Sequence, residues 1–90
     1  MGMLHTSHPN IIKQLKQAQG QLGSILPMLA EGRSCLELAQ QLQAVESVIH
    51  NAKRMLIQDH MEHCIGDAMG KGGMSAEKAL REFKSLSKYL

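Results

Sequence analysis

Aromatic side chains are nearly absent from this sequence: Phe83 and Tyr89 are the whole set, with no tryptophan, 2% of ninety residues. Sheet cores lean on aromatic and β-branched residues, so an all-β fold is excluded as the expectation. The same scarcity removes the stacking platforms used to read single-stranded RNA. Long apolar runs are also missing; none approaches the ~18 residues that span a bilayer, so no membrane partner is expected. The start, Met1 to Asn10, lacks a basic stretch followed by an apolar one, so no signal peptide is expected and the cytoplasm is the default location. Only two cysteines occur, which in a cytoplasmic chain points to thiols kept for chemistry or packing and not to a disulfide framework. Ninety residues are too few for a two-domain enzyme, and no acid–base pair sits in a recognisable pocket signature. The chain is expected to be one helical domain over 1–90 and not an enzyme.

What is present is helical periodicity. Ile11, Leu15, Ala18, Leu22, Ile25 and Leu29 recur at steps of four and three, which predicts a helix over about 9–30. Ser7 or Asn10 suits its cap, Pro9 its first turn and Gly32 its stop, while Pro27 costs a hydrogen bond near its end. Ser34 to Glu37 forms a Ser-x-x-Glu capping box, and Cys35, Leu38, Leu42, Val45, Ile49, Ala52 and Leu56 continue the rhythm, so a second helix is expected over about 34–65. After a glycine-rich connection, Ala76, Ala79, Leu80, Phe83 and Leu86 mark a third helix over about 75–89. At ~1.5 Å per residue the second helix spans roughly 45 Å, too long for its stripe to be hidden within one small chain. The predicted architecture is therefore all-α. Two chains form an antiparallel four-helix-bundle homodimer, and a dimer-of-dimers homotetramer is permitted by symmetry.

Metal-ligand chemistry gathers on the second helix. His60 and Cys64, four residues apart, leave one helix face a turn apart, as two ligands of one metal must. Cys35 is a second thiol, but roughly 37 Å of helix separates it from His60, far beyond ligand bonds of ~2.0–2.3 Å. An antiparallel dimer brings Cys35 of one chain to His60 and Cys64 of the other, which predicts two intersubunit sites. Taken alone, Cys35 on an apolar stripe suits core packing. Two sulfurs and one imidazole suit Cu(I); Ni(II), Co(II) or Zn(II) want a further ligand, which His5 or His8 could supply, with His63 nearby. Paired thiols also allow a sensor that reacts with persulfide or oxidants.

Charge gives a second theme. No acidic residue precedes Glu31, while Lys13 and Lys16 lie on the first helix. In the hairpin register Lys53 and Arg54 fall at the same end, making a basic face suited to double-stranded DNA phosphates. No zinc-finger spacing and no helix-turn-helix pair is visible.

Three segments carry a resemblance: Leu15-Lys16-Gln17-Ala18-Gln19-Gly20-Gln21-Leu22, Cys35 ahead of Ala39-Gln40-Gln41-Leu42-Gln43-Ala44-Val45, and Asp59-His60-Met61-Glu62-His63-Cys64. Together they resemble the CsoR/RcnR family of bacterial metal-responsive transcription repressors, from Ile11 to about Leu86. The resemblance implies an all-helical dimer assembling into a tetramer, which binds operator DNA when metal-free and releases it when metal binds. It implies Cu(I) for the set Cys35, His60 and Cys64, since nickel and cobalt relatives add N-terminal histidine and often replace the last cysteine. It also assigns Glu82 to the hydrogen-bonding layer behind the ligands. The family commonly has arginine where Gln14 and Asn51 stand, so DNA contact carries over to Lys16, with Lys13, Lys53 and Arg54 as substitutes.

Overall fold

A computed structural model describes residues 8–66 and 75–90, with the side chains of 64–66 excepted. Three helices follow in order: α1 over His8–Ala30, α2 over Cys35–Gly66 and α3 over Ala76–Ser87. Among the described residues there is no strand. The all-α expectation holds, and the helix ends fall within two residues of the predicted ones. No helix among these residues is long and apolar enough to cross a membrane.

Local chemistry explains the ends. Gly32 takes a left-handed conformation (φ 74°) that a Cβ would strain. Gly32 N donates to Leu29 O and Arg33 N to Met28 O, the paired bonds of a Schellman stop. Ser34 Oγ accepts from Glu37 N at 3.1 Å and so caps α2. Only half of the predicted capping box forms on these contacts, because Glu37 reaches back to Arg33 Nη1 at 2.8 Å. Ser75 caps α3 in the same manner through Lys78 N. Asn10 lies inside α1, so of the two predicted caps it is excluded. Pro27 is accommodated within the helix, its carbonyl still accepting from Glu31 N.

The chain divides into two compact units, Pro9–Ala52 and a second that draws on Lys53–Leu90 with His8. In the first, the four-residue connection from Glu31 to Ser34 turns α1 back on the start of α2. Ala18, Ile25, Leu38 and Val45 form one buried cluster, flanked by Met28 and Val48. Burying each larger aliphatic side chain contributes about 1.5–3 kcal/mol.

The structure splits the predicted seams in two. Ile11, Ala18 and Ile25, seven residues apart, are buried, as are Leu38, Val45 and Ala52. Their companions Leu15, Leu22 and Leu29, and Leu42, Ile49 and Leu56, remain exposed. Each helix thus satisfies one row within its own chain and leaves the other open. Cys35 belongs to that open row, seven residues before Leu42, and its thiol is exposed, which corrects the reading of Cys35 as core packing.

Candidate metal centre and nucleic-acid face

The second unit is where polar side chains meet. His60 Nε2 and Glu82 Oε1 lie 2.7 Å apart, joining the last part of α2 to the middle of α3. A carboxylate only accepts, so the ring N–H donates from Nε2, and in the neutral imidazole the lone pair then lies on Nδ1. Such a carboxylate behind an imidazole fixes its tautomer and raises its basicity toward a metal.

Next to His60 in sequence, Asp59 is buried, at 8% exposure. His8 Nε2 of α1 lies 3.7 Å from Asp59 Oδ2, and His63 Nε2 lies 3.9 Å from Asp59 Oδ1. Both separations exceed hydrogen-bond length, and each contact is an ion pair only with the imidazole protonated. Asp59 escaped sequence reasoning. Its signal was its register: the buried row of α2 runs Leu38, Val45, Ala52 and then Asp59, a carboxylate where the pattern calls for an aliphatic residue.

The sequence-predicted ligands divide between the two ends of α2. Cys35 is its first residue and Cys64 lies in its last turn, one turn after His60. The side chain of Cys64 and all of His5 lie outside the described residues. Among the described residues, no three His, Cys, Asp or Glu side chains gather closely enough to hold a metal ion. The donors that are present, a thiol, a half-buried imidazole backed by a carboxylate and a second cysteine one turn on, suit a soft ion once they are brought together.

On the first unit, α1 carries Lys13, Lys16, Gly20 and Gly23 at steps of three, four and three, on the side away from Ile11, Ala18 and Ile25. Lys13 and Lys16 are exposed, as are Lys53 and Arg54 on α2. None of the four meets a carboxylate among the described residues. Built on at Gly20 or Gly23, a Cβ meets nothing within 4 Å. This face of α1 is therefore open for close approach of a polyanion.

Three comparisons bear on this arrangement. The family model described as metal-sensitive transcriptional repressor matches residues 7–88. The copper-sensing transcriptional repressor RicR of Mycobacterium tuberculosis (strain H37Rv) is 32% identical over 73 residues, covering 81% of this chain and 76% of its own. The copper-sensing repressor CsoR of Bacillus subtilis (strain 168) is 32% identical over 80 residues, covering 87% and 79%. Among solved structures, the nickel-responsive transcriptional regulator InrS superposes with a TM-score of 0.83 at 26% identity, over the full length of both chains. The three-helix fold, the split donors of α2 and these matches lead to one conclusion: the chain belongs to the CsoR/RcnR family of metal-sensitive transcriptional repressors.

Proposed function

We propose that this repressor binds operator DNA in its metal-free form and is released by Cu(I), held at two equivalent sites between subunits. Cys35 of one chain, with His60 and Cys64 of another, would hold the ion. The observation that carries the reading is the open row of α2. It begins at Cys35 and continues through Leu42, Ile49 and Leu56 toward the last turns of α2, which carry His60 and Cys64, so the apolar face left exposed has proposed donors at both ends. Covering that row with a second antiparallel copy removes the apolar residues from water and brings the start of one α2 beside the end of the other. The copper-sensing relatives support a soft ion, as does a set of two thiolates and one imidazole.

Cu(I) supplies soft coordination that ties thiolates from two chains together. The residues of the chain do the rest. Glu82 holds the His60 ring through Nε2 and presents Nδ1, so a ligand taken up by His60 acts on α3 as well as on α2. Lys13, Lys16, Lys53 and Arg54 supply the phosphate contacts, and any shift of the second helices relative to each other alters their spacing across the assembly. A coupling of ~1–3 kcal/mol between the two sites is enough for such a switch.

Mixing two inactive variants tests the shared site. Cys35→Ala and Cys64→Ala are each expected to lose tight Cu(I) binding, while mixed dimers regain one site of the two. Failure of the mixture to recover any binding refutes a site between subunits. Anisotropy with a duplex from upstream of the gene tests the switch, with binding expected in the metal-free protein and loss at one Cu(I) per subunit.

A second reading has its own support. His8 at the start of α1 lies beside Asp59, next in sequence to His60, and the structural neighbour InrS is nickel-responsive. In this reading His5 or His8 completes a site for Ni(II), Co(II) or Zn(II). Deletion of the first eight residues separates the two, because only this second reading predicts weaker metal binding.

A further inference from the structure

Positive charge is unevenly placed along the chain. Residues 1–74 hold six basic and six acidic side chains, whereas 75–90 hold Lys78, Arg81, Lys84 and Lys88 against Glu77 and Glu82. The entire formal surplus of +2 therefore resides in the last sixteen residues, on and beside α3. That surplus is also ordered. Arg81, Lys84 and Lys88 recur at steps of three and four and so form one ridge along the helix. Lys84 and Lys88 meet no carboxylate among the described residues. Arg81 Nη1 approaches Glu77 Oε2 only at 3.9 Å, with both side chains well exposed, a pair of little energetic consequence. Glu82, the other acidic residue of α3, lies on a different side and is engaged with His60, so it does not neutralise the ridge.

We propose that the Arg81–Lys84–Lys88 ridge is a further DNA-phosphate contact, additional to Lys13, Lys16, Lys53 and Arg54. It rests on the reading of the chain as a DNA-binding repressor. From Arg81 to Lys88 the helix rises roughly 10 Å at ~1.5 Å per residue, and one strand of duplex presents a phosphate for about every 3.4 Å of axis. Three cations thus face about three phosphates. Cations in a last helical turn also answer the helix dipole, which accounts for Lys84 and Lys88 but not for Arg81 in mid-helix. Through Glu82 and His60, α3 is tied to the end of α2 that carries the predicted metal ligands, so a contact on α3 lies within reach of the switch.

The test uses the full chain with Arg81→Gln, Lys84→Gln and Lys88→Gln combined, and a labelled duplex from immediately upstream of its gene. Anisotropy is followed over a range of salt concentrations. Affinity at low salt is expected to fall at least about tenfold, and the slope of log affinity against log salt to shrink by about 0.9 for each phosphate that is no longer neutralised. Helix content, oligomeric state and metal stoichiometry stay as in the parent chain. Unchanged affinity and slope overturn the proposal. So does a change of oligomeric state with an unchanged slope, which assigns the ridge to contact between copies. Single Lys84→Gln, at an exposed position, gives the same reading with about a third of the effect if the triple variant folds poorly. Lys13→Gln with Lys16→Gln serves as the reference: weaker binding there beside an unaffected triple variant overturns the ridge alone, whereas no duplex binding by the parent chain overturns the repressor reading with it.

Discussion

Between Pro9 and Ala52 every buried side chain is aliphatic: Ile11, Ala18, Ile25, Leu38, Val45 and Ala52. Beyond Lys53, among the described residues, the buried set is Ile57 with Asp59, and imidazoles meet carboxylates at His60–Glu82 and His8–Asp59. One helix, α2, passes through both regimes. Its buried row is apolar for three heptads and then turns acidic at Asp59, and its open row starts at a thiol and runs toward the turns that carry His60 and Cys64. In the first region the buried positions serve packing and the chemical groups, Cys35, Lys13 and Lys16, stay at the surface, while the second gives up apolar burial for ligands and charge. A sensor needs both, because a site assembled from two chains is only as well placed as the helices that carry it.

The comparison is broken most directly by Ile25→Ala. Ile25 is 2% exposed within the aliphatic cluster, and truncating it removes buried methyl groups and leaves a cavity. A loss of about 2–5 kcal/mol in unfolding free energy is expected. Denaturant unfolding monitored by circular dichroism measures it. If the aliphatic cluster is scaffold alone, metal stoichiometry at temperatures where the variant is folded stays unchanged.

Glu82→Gln probes the second region. The amide keeps the size of the side chain but loses the charge that holds His60 Nε2 at 2.7 Å. Metal affinity is expected to fall about 10–100-fold with little change in helix content. Competition titration against a chelator of known affinity reads the change. An unfolding free energy that drops while metal affinity holds would instead make the Glu82 contact a tie between helices and nothing more.

How much of this was legible beforehand differs between the two regions for a physical reason. The helices and their ends follow from local rules: heptad spacing, Ser34 as a cap and Gly32 as a stop act within a few residues, so the sequence displays them. The seams were visible too, but not which half of each seam the chain would bury itself, since that depends on how α1 and α2 rotate against each other. Cys35 illustrates the point, standing in the stripe by spacing and exposed in the structure. The contact of His60 with Glu82 spans twenty-two positions across a glycine-rich connection. Periodicity carries no information over that distance, and only the family resemblance suggested it. The approach of His8 to Asp59, from the start of one helix to the last part of the next, went unseen for the same reason, whereas the four-residue spacing of Asp59 and His63 lay within reach of helical periodicity.

Asp59→Asn is expected to have a smaller effect. Its two imidazole contacts are long, and the His8 side chain is 44% exposed, so solvent screens much of the attraction. Loss of about 1 kcal/mol or less is expected, with faster amide hydrogen exchange in the first turn of α1, where His8 sits. Unchanged exchange there would show that the start of α1 is held by its aliphatic row and not by Asp59.

The smallest expected change carries the sharpest contrast. Gly20 lies in the interior of α1, beside Lys16 on the face away from the aliphatic row, and nothing lies within 4 Å of a Cβ built there. Alanine at this position should stabilise the helix by about 0.5–1 kcal/mol, because it restricts the unfolded chain and meets no obstacle in the folded one. Gly32→Ala, equally free of neighbours, should cost about 1 kcal/mol, because its backbone is left-handed. Thermal unfolding of the two variants tests that opposition. Duplex binding by Gly20→Ala then asks why a residue costly to the helix stands there: reduced affinity in a more stable protein means that DNA backbone closes to the surface of α1 at Gly20, whereas unchanged affinity leaves phosphate contact to the lysine side chains alone.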